Sequence, residues 1–423
     1  MKSNSLSELG RLTKEPPISW LMATTLANPG LISLAAGFTD QSSLPVQETR
    51  EILQELLRSP KTGPAALQYG TTIGDQVLRE LTASRLKQLD EVRGGSAILS
   101  PERMVITNGS QQMLYIVTEA LCDPGDVVLV EDPSYFVYLG ILQSHGVNAR
   151  GVSMEHDGLD LAHLEQVLET LKREGTLPRL KLLYMVSYYQ NPTGVTTSFA
   201  KKGGVLNLLR KFERVAGHPL YLLEDAAYRE LRFQGEAVKS AVAADPLGER
   251  VIYTGTYSKP FATGARVGFG LLPKSVLTPV VRIKGNHDFG SSNLLQQLLA
   301  RALACGLYES HLAILRNRYA QKAKVMRKHL QQHFPPAIVW REPQGGLYFW
   351  PRLPRWLKSG PHSKLFQEAL KKNVLYVPGQ LCYAEDPSRP RPNNEMRLSF
   401  GAATERNICT GIERLGKALH RLL

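Results

Sequence analysis

The fold is constrained most by a regular alternation of apolar strands and helices that begins at Arg103. Runs rich in β-branched and aromatic residues, such as VVLVED and YLLED, are each followed by a turn and a helical segment. This alternation predicts an α/β fold, with a large domain whose mostly parallel sheet is flanked by helices. After residue 302 a long charged helix at 308–334, short strands and a closing helix at 405–422 predict a smaller α+β C-terminal domain.

The length and the N-terminal residues add two expectations. A chain of 423 residues exceeds the size at which one core stops growing, so two or more domains are expected. Residues 1–30 are polar and then mixed, and Pro16 with Pro17 opposes a continuous helix, so this segment is expected to be an arm.

Charge and composition favour small anionic ligands. The net charge is +13, but the basic residues are scattered and no helix-turn-helix or zinc signature occurs, so no nucleic-acid partner is expected. The cysteines (Cys122, Cys305, Cys382 and Cys409) lack the spacing of a metal or redox site. No signal peptide or membrane-spanning run is present, which predicts a soluble cytoplasmic protein without a membrane partner.

Polar residues follow the carboxyl ends of successive predicted strands, where open α/β sheets bind ligands. They are Ser110, Tyr135, Asn191, Asp225 and Lys259. Each has an ordinary structural explanation, such as a helix cap, a turn or aromatic packing. Their shared location at one edge of the sheet indicates a site.

The stretch VIYTGTYSKPFATGARVGFG, residues 251–270, contains the most informative of these residues. Lys259 follows a buried strand, where partial desolvation lowers the pKa of an amine and makes it a nucleophile suited to a Schiff base. Arg266 offers a planar fork for a phosphate. Ser110 is predicted as an N-cap, so that Gly109, Ser110 and Gln111 present backbone N–H groups to an anion. Together with a carboxylate and a flat aromatic ring, this combination describes a pyridoxal phosphate pocket.

Three further residues stay open on sequence grounds. Arg397 lies among apolar residues in MRLSF and needs an anionic partner, either a structural carboxylate or a substrate carboxylate. Gly37 ends an apolar run, either as a simple turn or as a close backbone approach to a ligand. Tyr69 precedes a Gly-containing loop, where a tyrosine usually packs.

The chain resembles the class I/II, fold-type I pyridoxal phosphate aminotransferases across nearly its whole length. The motifs, in order, are LQYGTTIGDQVLR, NGSQQ, EDPSY, YQNPTG, EDAAYREL, GTYSK with Arg266, and MRLSF. The resemblance is strongest to the branch that contains 2-aminoadipate and kynurenine aminotransferases and the effector domains of MocR-type regulators. It implies an aspartate aminotransferase-like fold with a large cofactor-binding domain at 59–302 and a small domain at 303–423. The N-terminal arm and segment at 1–58 would pack on the small domain and the dimer interface.

The resemblance also implies a role for each site residue. Lys259 matches the lysine that forms the Schiff base and moves the substrate Cα proton, and Asp225 matches the carboxylate on the pyridine nitrogen. Asn191 and Tyr228 match donors to the phenolic oxygen, and Tyr135 matches the stacking aromatic. The residues that match the phosphate cradle are Gly109, Ser110, Gln111, Thr256, Ser258 and Arg266.

Tyr69 matches a tyrosine that reaches the phosphate of the neighbouring subunit, which implies a homodimer with shared active sites. Arg397 matches the clamp on the substrate α-carboxylate, with Asn191 and Gly37 beside it. The implied reaction moves an amino group from an L-amino acid to a 2-oxo acid by a ping-pong mechanism. A C–S lyase on the same fold and a MocR-like ligand-sensing domain without catalysis are the alternatives.

One segment departs from the family pattern. The 2-aminoadipate-type enzymes carry an N-terminal arginine that helps to bind an acidic side chain, but PPISWLMATTLANPG contains no arginine or lysine. Trp20, Leu21 and Met22 would instead suit an apolar or aromatic substrate side chain.

Overall fold

The computed structural model describes residues 5–92 and 96–423, which form helices around one large and two small sheets. The helices are α1 (Glu8–Leu12), α2 (Pro17–Ala27), α3 (Val46–Arg58), α4 (Thr62–Leu67), α5 (Gln76–Leu89), α6 (Gly109–Leu121), α7 (Phe136–Ser144), α8 (Leu161–Arg173), α9 (Phe199–Ala216), α10 (Lys274–Asp288), α11 (Asn293–Ala304), α12 (Leu307–His333), α13 (Lys364–Lys371) and α14 (Glu405–His420). The strands are β1 (Ile32–Ser33), β2 (Met104–Thr107), β3 (Val127–Asp132), β4 (Asn148–Glu155), β5 (Gly158–Leu159), β6 (Leu180–Val186), β7 (Tyr221–Asp225), β8 (Val251–Thr256), β9 (Gly268–Leu271), β10 (Tyr348–Phe349), β11 (Val374–Leu375), β12 (Val377–Pro378) and β13 (Met396–Ser399).

The large sheet has the order β2-β9-β8-β7-β6-β3-β4-β5. Neighbours from β8 through β4 pair in parallel, while β9 runs antiparallel to both β2 and β8, and β5 antiparallel to β4. The central strands are apolar and buried on both faces, as parallel strands covered by helices must be. The predicted α/β class with a mostly parallel sheet is confirmed.

This topology brings the carboxyl ends of β3, β6, β7 and β8 to one edge of the sheet. The register places Val186 at the end of β6 opposite Asp225 at the end of β7, and Asp225 opposite Thr254 of β8. Because the strands are parallel neighbours, the loops that follow them share one rim.

One of the two small sheets joins the N-terminal and C-terminal segments. β1 pairs in parallel with β11, so that Ile32 lies opposite Val374, and the second small sheet has the order β10-β13-β12. Residues that follow β1 therefore approach β13, which contains Arg397. The division into segments at 1–58, 59–302 and 303–423 stays a prediction.

The N-terminal segment forms two helices. It contains α1 and α2, which are separated at the prolines, and Pro17 is the first residue of α2. A proline is compatible with the first helical position, because its missing N–H would have no intrahelical partner there. The expected interruption at the prolines is present, and the assignment of this segment as an arm stays a prediction.

Within residues 5–92 and 96–423, no single helix has both the length and the apolar character needed to cross a bilayer. Only α11 and α12 taken together meet that test, and they meet at a bend of 83°.

Candidate active site

A cavity of about 520 Å³ opens at the carboxyl-terminal edge of the large sheet. Most residues predicted for the site line it, together with Val186 and Ala227. The predicted residues are Ser110, Gln111, Tyr135, Asn191, Asp225, Tyr228, Thr256, Ser258, Lys259 and Arg266. The topology thus brings loops from distant parts of the sequence to one place.

The amine of Lys259 lies in this cavity just beyond β8. Its Nζ donates a hydrogen bond of 2.7 Å to the carbonyl oxygen of Gly37, so the run that ends at Gly37 reaches the cavity as a backbone approach. Burial, together with the positive charges of Arg266 and Arg397, lowers the pKa of Lys259 to about 8. About a tenth of this amine is therefore neutral and nucleophilic at pH 7, far more than for an exposed lysine.

Asp225 lines the same cavity at the end of β7 and is buried. Its Oδ2 accepts a hydrogen bond of 2.9 Å from the Tyr184 hydroxyl, and its Oδ1 accepts one of 3.0 Å from the N–H of Ala227. Burial raises the pKa of Asp225 to about 6, although both hydrogen bonds act to lower it. Within residues 5–92 and 96–423 no basic side chain pairs with this carboxylate, so a protonated ligand nitrogen would satisfy it.

An anion cradle forms where α6 begins. Gly109 adopts φ +72°, and a Cβ there would lie 2.7 Å from Nη2 of Arg266. A Cβ at Gly268 would lie 2.5 Å from the backbone nitrogen of Ser110, so glycine at both positions lets donors converge. Arg266 Nη1 also donates to Ser258 Oγ at 3.4 Å. Backbone N–H groups at a helix N-terminus beside a guanidinium suit a phosphate.

The prediction that Ser110 caps α6 was wrong. The N-cap position is Asn108, and the helix begins at Gly109. The side chain of Gln112 accepts a hydrogen bond of 2.7 Å from the Asn108 N–H and so closes the first turn from inside the helix. Ser110 and Gln111 still lie in the first turn, where backbone N–H groups lack intrahelical partners.

Arg397 is buried and bound at two points. Its Nη1 donates to Asn191 Oδ1 at 2.6 Å, and its Nη2 donates to the carbonyl of Ala35 at 2.6 Å. Its Nε has no hydrogen-bond partner among the described residues. No carboxylate of those residues is paired with Arg397. The geometry therefore favours a substrate carboxylate, and not a structural one, as its anionic partner.

Two predicted residues differ in how they meet the cavity. Tyr135 lines it directly and is the N-cap residue of α7. Tyr69 does not line it: the side chain is 82% exposed and packs edge-on against Phe289, with ring centroids 5.4 Å apart. Its predicted role involves a neighbouring subunit and stays a prediction.

Sequence reasoning missed Tyr184 and Tyr348. Tyr184 lies within β6 and contacts Asp225, and Tyr348 on β10 places its hydroxyl 2.9 Å from that of Tyr228. Strand periodicity could have marked Tyr184, because it points to the same side of β6 as Val186, which lines the cavity. No local pattern marks Tyr348, which comes from another sheet.

The comparisons with known proteins decide the family. Residues 29–415 match the family model described as aminotransferase class I and II. The chain belongs to this aminotransferase family. It is accordingly a pyridoxal phosphate-dependent transaminase that acts on amino acids and 2-oxo acids.

Relatives of this aminotransferase extend over nearly the whole chain. The 2-aminoadipate transaminase of Thermus thermophilus is 33% identical over 93% of this chain and 91% of its own length. The aromatic-amino-acid aminotransferase 1 of Thermococcus litoralis is 30% identical over 99% of this chain and 92% of its own length. An uncharacterized HTH-type transcriptional regulator of Bacillus subtilis, YisV, is 29% identical over 97% of this chain and 82% of the regulator. The branch predicted from the motifs is therefore confirmed.

Solved structures agree with the fold of the aminotransferase. The kynurenine aminotransferase of Pyrococcus horikoshii, solved with PMP, kynurenine and kynurenic acid, is 29% identical with a TM-score of 0.89 over 99% of this chain and 98% of that chain. The α-aminoadipate aminotransferase LysN of Thermus thermophilus, complexed with N-(5'-phosphopyridoxyl)-L-leucine, is 30% identical with a TM-score of 0.84 over 99% of this chain and 98% of that chain. The predicted fold type I architecture is confirmed.

The cavity fits the cofactor of this family. Pyridoxal phosphate needs an anion site, a carboxylate for its ring nitrogen, and an amine for its aldehyde. The glycine-lined cradle at Ser110, the carboxylate of Asp225 and the amine of Lys259 supply these groups around one space.

Proposed function

We propose that the cavity binds pyridoxal phosphate through the residues predicted from the sequence. Lys259 is the amine that holds the cofactor aldehyde, Asp225 holds a proton on its ring nitrogen, and Tyr135 stacks on its ring. Asn191 and Tyr228 bind its phenolic oxygen. The phosphate is bound by Gly109, Ser110, Gln111, Thr256, Ser258 and Arg266. The observation that carries this proposal is that Lys259 and Asp225 line one cavity with a phosphate-type cradle.

The protein's residues divide the chemistry among them. The bound cofactor supplies an electron sink for the carbanion that forms when the substrate Cα loses its proton. The Nζ of Lys259 is the base that takes this proton, because burial and two neighbouring guanidinium groups keep a fraction of the amine neutral. The carboxylate of Asp225 keeps the ring nitrogen protonated, because a buried anion without a basic partner stabilises a nearby cation.

Arg397 is proposed to bind the substrate α-carboxylate. Its guanidinium is already oriented by Asn191 and Ala35, and its Nε remains available as a donor. A carboxylate bound there would lie near Gly37, whose carbonyl contacts Lys259. This arrangement places the substrate amine and Cα close to the proposed base.

The amino donor is proposed to have an apolar or aromatic side chain. No arginine or lysine occurs at 16–30, and α2 presents Trp20, Leu21 and Met22 in this region. Leu21 is buried and Trp20 packs against Phe366 at a centroid distance of 5.6 Å, which leaves Met22 as the exposed side chain of the three. A carboxylate side chain would find no cationic residue on this helix.

A panel of amino donors tests that specificity. Leucine, phenylalanine and kynurenine are expected to react faster than 2-aminoadipate and glutamate, compared as kcat/KM with one 2-oxo acid in excess. Faster turnover of the acidic donors would contradict the proposed specificity and leave the cofactor roles intact.

We also propose a cytoplasmic homodimer in which Tyr69 of each subunit completes the phosphate site of the other. The exposure of Tyr69 supports this. Its ring packs against Phe289, which is itself exposed, so an aromatic ring with a polar hydroxyl is available to a partner.

Replacement of the proposed base tests the core of the assignment. Lys259→Ala is expected to lower turnover by about 10³-fold or more, because both the amine that holds the cofactor and the proton carrier are lost. The visible absorbance of the bound cofactor should change with it. Lys274→Ala, at the exposed start of α10, serves as a matched control. Retention of both turnover and absorbance in Lys259→Ala would overturn the proposal.

A further inference from the structure

Tyr348 lies between Tyr228, which is proposed to bind the cofactor, and Arg397, which is proposed to bind the substrate carboxylate. It is buried on β10, which pairs antiparallel with β13, the strand that contains Arg397. Its hydroxyl is 2.9 Å from the hydroxyl of Tyr228, and the centroid of its ring is 4.5 Å from the guanidinium carbon of Arg397. One side chain therefore contacts both the proposed cofactor ligand and the proposed carboxylate clamp.

The space around the Tyr348 hydroxyl is kept open by Gly37. A Cβ at Gly37 would lie 2.7 Å from this hydroxyl, so a side chain there would displace it. Gly37 also supplies the carbonyl that accepts from Lys259. The absence of a side chain at Gly37 thus makes room for the Tyr348 hydroxyl, while the backbone carbonyl of Gly37 binds the lysine.

The hydrogen-bond directions around Tyr228 follow from the donors available. Asn191 Oδ1 accepts from Arg397, so its Nδ2 is the group that faces the Tyr228 hydroxyl, at 3.5 Å. An amide nitrogen only donates, and this occupies one lone pair of the Tyr228 oxygen. If Tyr348 donates to the second lone pair, the single proton of Tyr228 is left to point into the cavity.

We infer that Tyr348 is a positioning residue with two actions: its hydroxyl directs the Tyr228 proton into the cofactor cavity, and its ring face holds the Arg397 guanidinium. This inference rests on the proposed roles of Tyr228 and Arg397. A donated hydrogen bond polarises Tyr228 and strengthens the bond that it donates in turn. The ring contributes the shorter of two cation–π contacts to a guanidinium that is also hydrogen-bonded at two points; the ring of Phe136 lies farther away, at 5.4 Å.

Two substitutions separate the hydroxyl from the ring. Tyr348→Phe removes the hydroxyl and retains the ring, while Tyr348→Leu removes both. Tyr376→Phe is the matched control, since Tyr376 is another buried tyrosine in the C-terminal part of the chain, and its hydroxyl donates to the carbonyl of Ser359.

The first measurement is the pH titration of the visible absorbance of the cofactor in the holoenzyme. Tyr348→Phe is expected to raise the midpoint by about half a pH unit, because a weaker donor stabilises the phenolic anion less. Tyr228→Phe should raise the midpoint further, by about 1–2 units, because it removes the donor itself. Tyr376→Phe should leave the midpoint where it is in the wild type.

The second measurement is the KM for the amino donor. Tyr348→Leu is expected to raise this KM about tenfold through the loss of the cation–π contact, whereas Tyr348→Phe should keep it within about twofold. The inference is overturned if Tyr228→Phe moves the absorbance midpoint while Tyr348→Phe does not, or if both Tyr348 variants have the wild-type KM. If Tyr228→Phe itself has no effect, the failure lies in the proposed cofactor contacts instead.

Discussion

At the scale of single residues, burial sets the protonation of the two groups on which the proposed chemistry depends. Burial lowers the pKa of Lys259 to about 8 and raises the pKa of Asp225 to about 6. Both shifts disfavour the charged form, because both groups are buried and neither is paired with an opposite charge within the described residues. A ligand with an aldehyde and a basic ring nitrogen would relieve both penalties.

The rate at which the apoprotein captures pyridoxal phosphate is expected to follow the neutral fraction of Lys259. Because the pKa is about 8, the rate should rise between pH 7 and 9, with a midpoint near 8 and not near the 10.5 that is ordinary for a lysine. Borohydride trapping followed by mass spectrometry measures the capture, with Lys259→Ala as the unreactive control. A midpoint above pH 10 would show that the amine is not desolvated.

Asp225→Asn is expected to stabilise the apoprotein at neutral pH. The pKa of Asp225 is about 6 in the folded protein, against an ordinary value of 3.8, so protonation favours the folded state and stability is lost as the pH rises through this window. The full shift corresponds to about 3 kcal/mol. The gain of the variant over the wild type in free energy of unfolding should grow by about 2 kcal/mol between pH 4.5 and 7.5 in urea denaturation of cofactor-free protein. A gain independent of pH would contradict this sign.

The cavity residues could be predicted from the sequence because each follows a strand end, but their partners could not. Asn191, Asp225 and Lys259 lie where parallel strands converge, and this is a consequence of topology alone. The hydroxyls of Tyr348 and Tyr228 are in contact although 120 residues of sequence separate them. Tyr348 belongs to β10 of a small sheet, and Tyr228 follows β7 of the large sheet. No periodicity in a single chain records such a contact.

At the scale of elements, the helices on the sheet are attached through buried ion pairs as well as apolar packing. Lys202 of α9 and Glu224 of β7 are both 0% exposed, and Nζ lies 3.0 Å from Oε1. The Lys202 Nζ also donates to the Lys239 carbonyl, and the Ala241 N–H donates to Glu224 Oε2. Each charge therefore has further hydrogen-bond partners, as a buried pair requires.

Lys202→Met is expected to lower the free energy of unfolding by about 3–5 kcal/mol, because it leaves Glu224 as an uncompensated buried charge. The double variant Lys202→Met with Glu224→Leu should recover most of this loss, since replacement of both partners removes the unpaired charge. Urea denaturation of the wild type, the two single variants Lys202→Met and Glu224→Leu, and the double variant completes a double-mutant cycle. Equal destabilisation by the single and double variants would show that the pair does not act as a unit.

Element positions were predicted well where the strands are long and buried, and less well at helix starts. The runs that form β3, β7 and β8 are apolar and bounded by turns, so their ends were placed close to Asp132, Asp225 and Thr256. The start of α6 was misplaced because a serine cap was expected, while the structure uses a glycine with positive φ and a glutamine from the first turn.

At the scale of the whole molecule, one surface exposes apolar side chains around Tyr69. Phe289 is 58% exposed beside it, and Leu67, Val46 and Leu57 are exposed on α4 and α3. Asn293, at the start of α11, donates to the carbonyls of residues 65 and 68, which ties α4 to this region. Exposed apolar side chains on α3, on α4 and beside Tyr69 favour a protein interface, and a second copy of the chain is the partner that the proposed shared site requires.

Subunit complementation tests whether Tyr69 completes the site of the neighbouring subunit. A Tyr69→Ala chain and a Lys259→Ala chain should each be impaired alone at limiting cofactor. When the two are refolded together, each mixed dimer would contain one complete site, and roughly a quarter of wild-type turnover should return, because half of randomly assembled dimers are mixed. The control mixture pairs Asn191→Ala with Lys259→Ala. These two residues line the cavity of the same chain, so no mixed dimer would contain an intact site. Rescue in the control as well, or in neither mixture, would show that Tyr69 does not act across the interface.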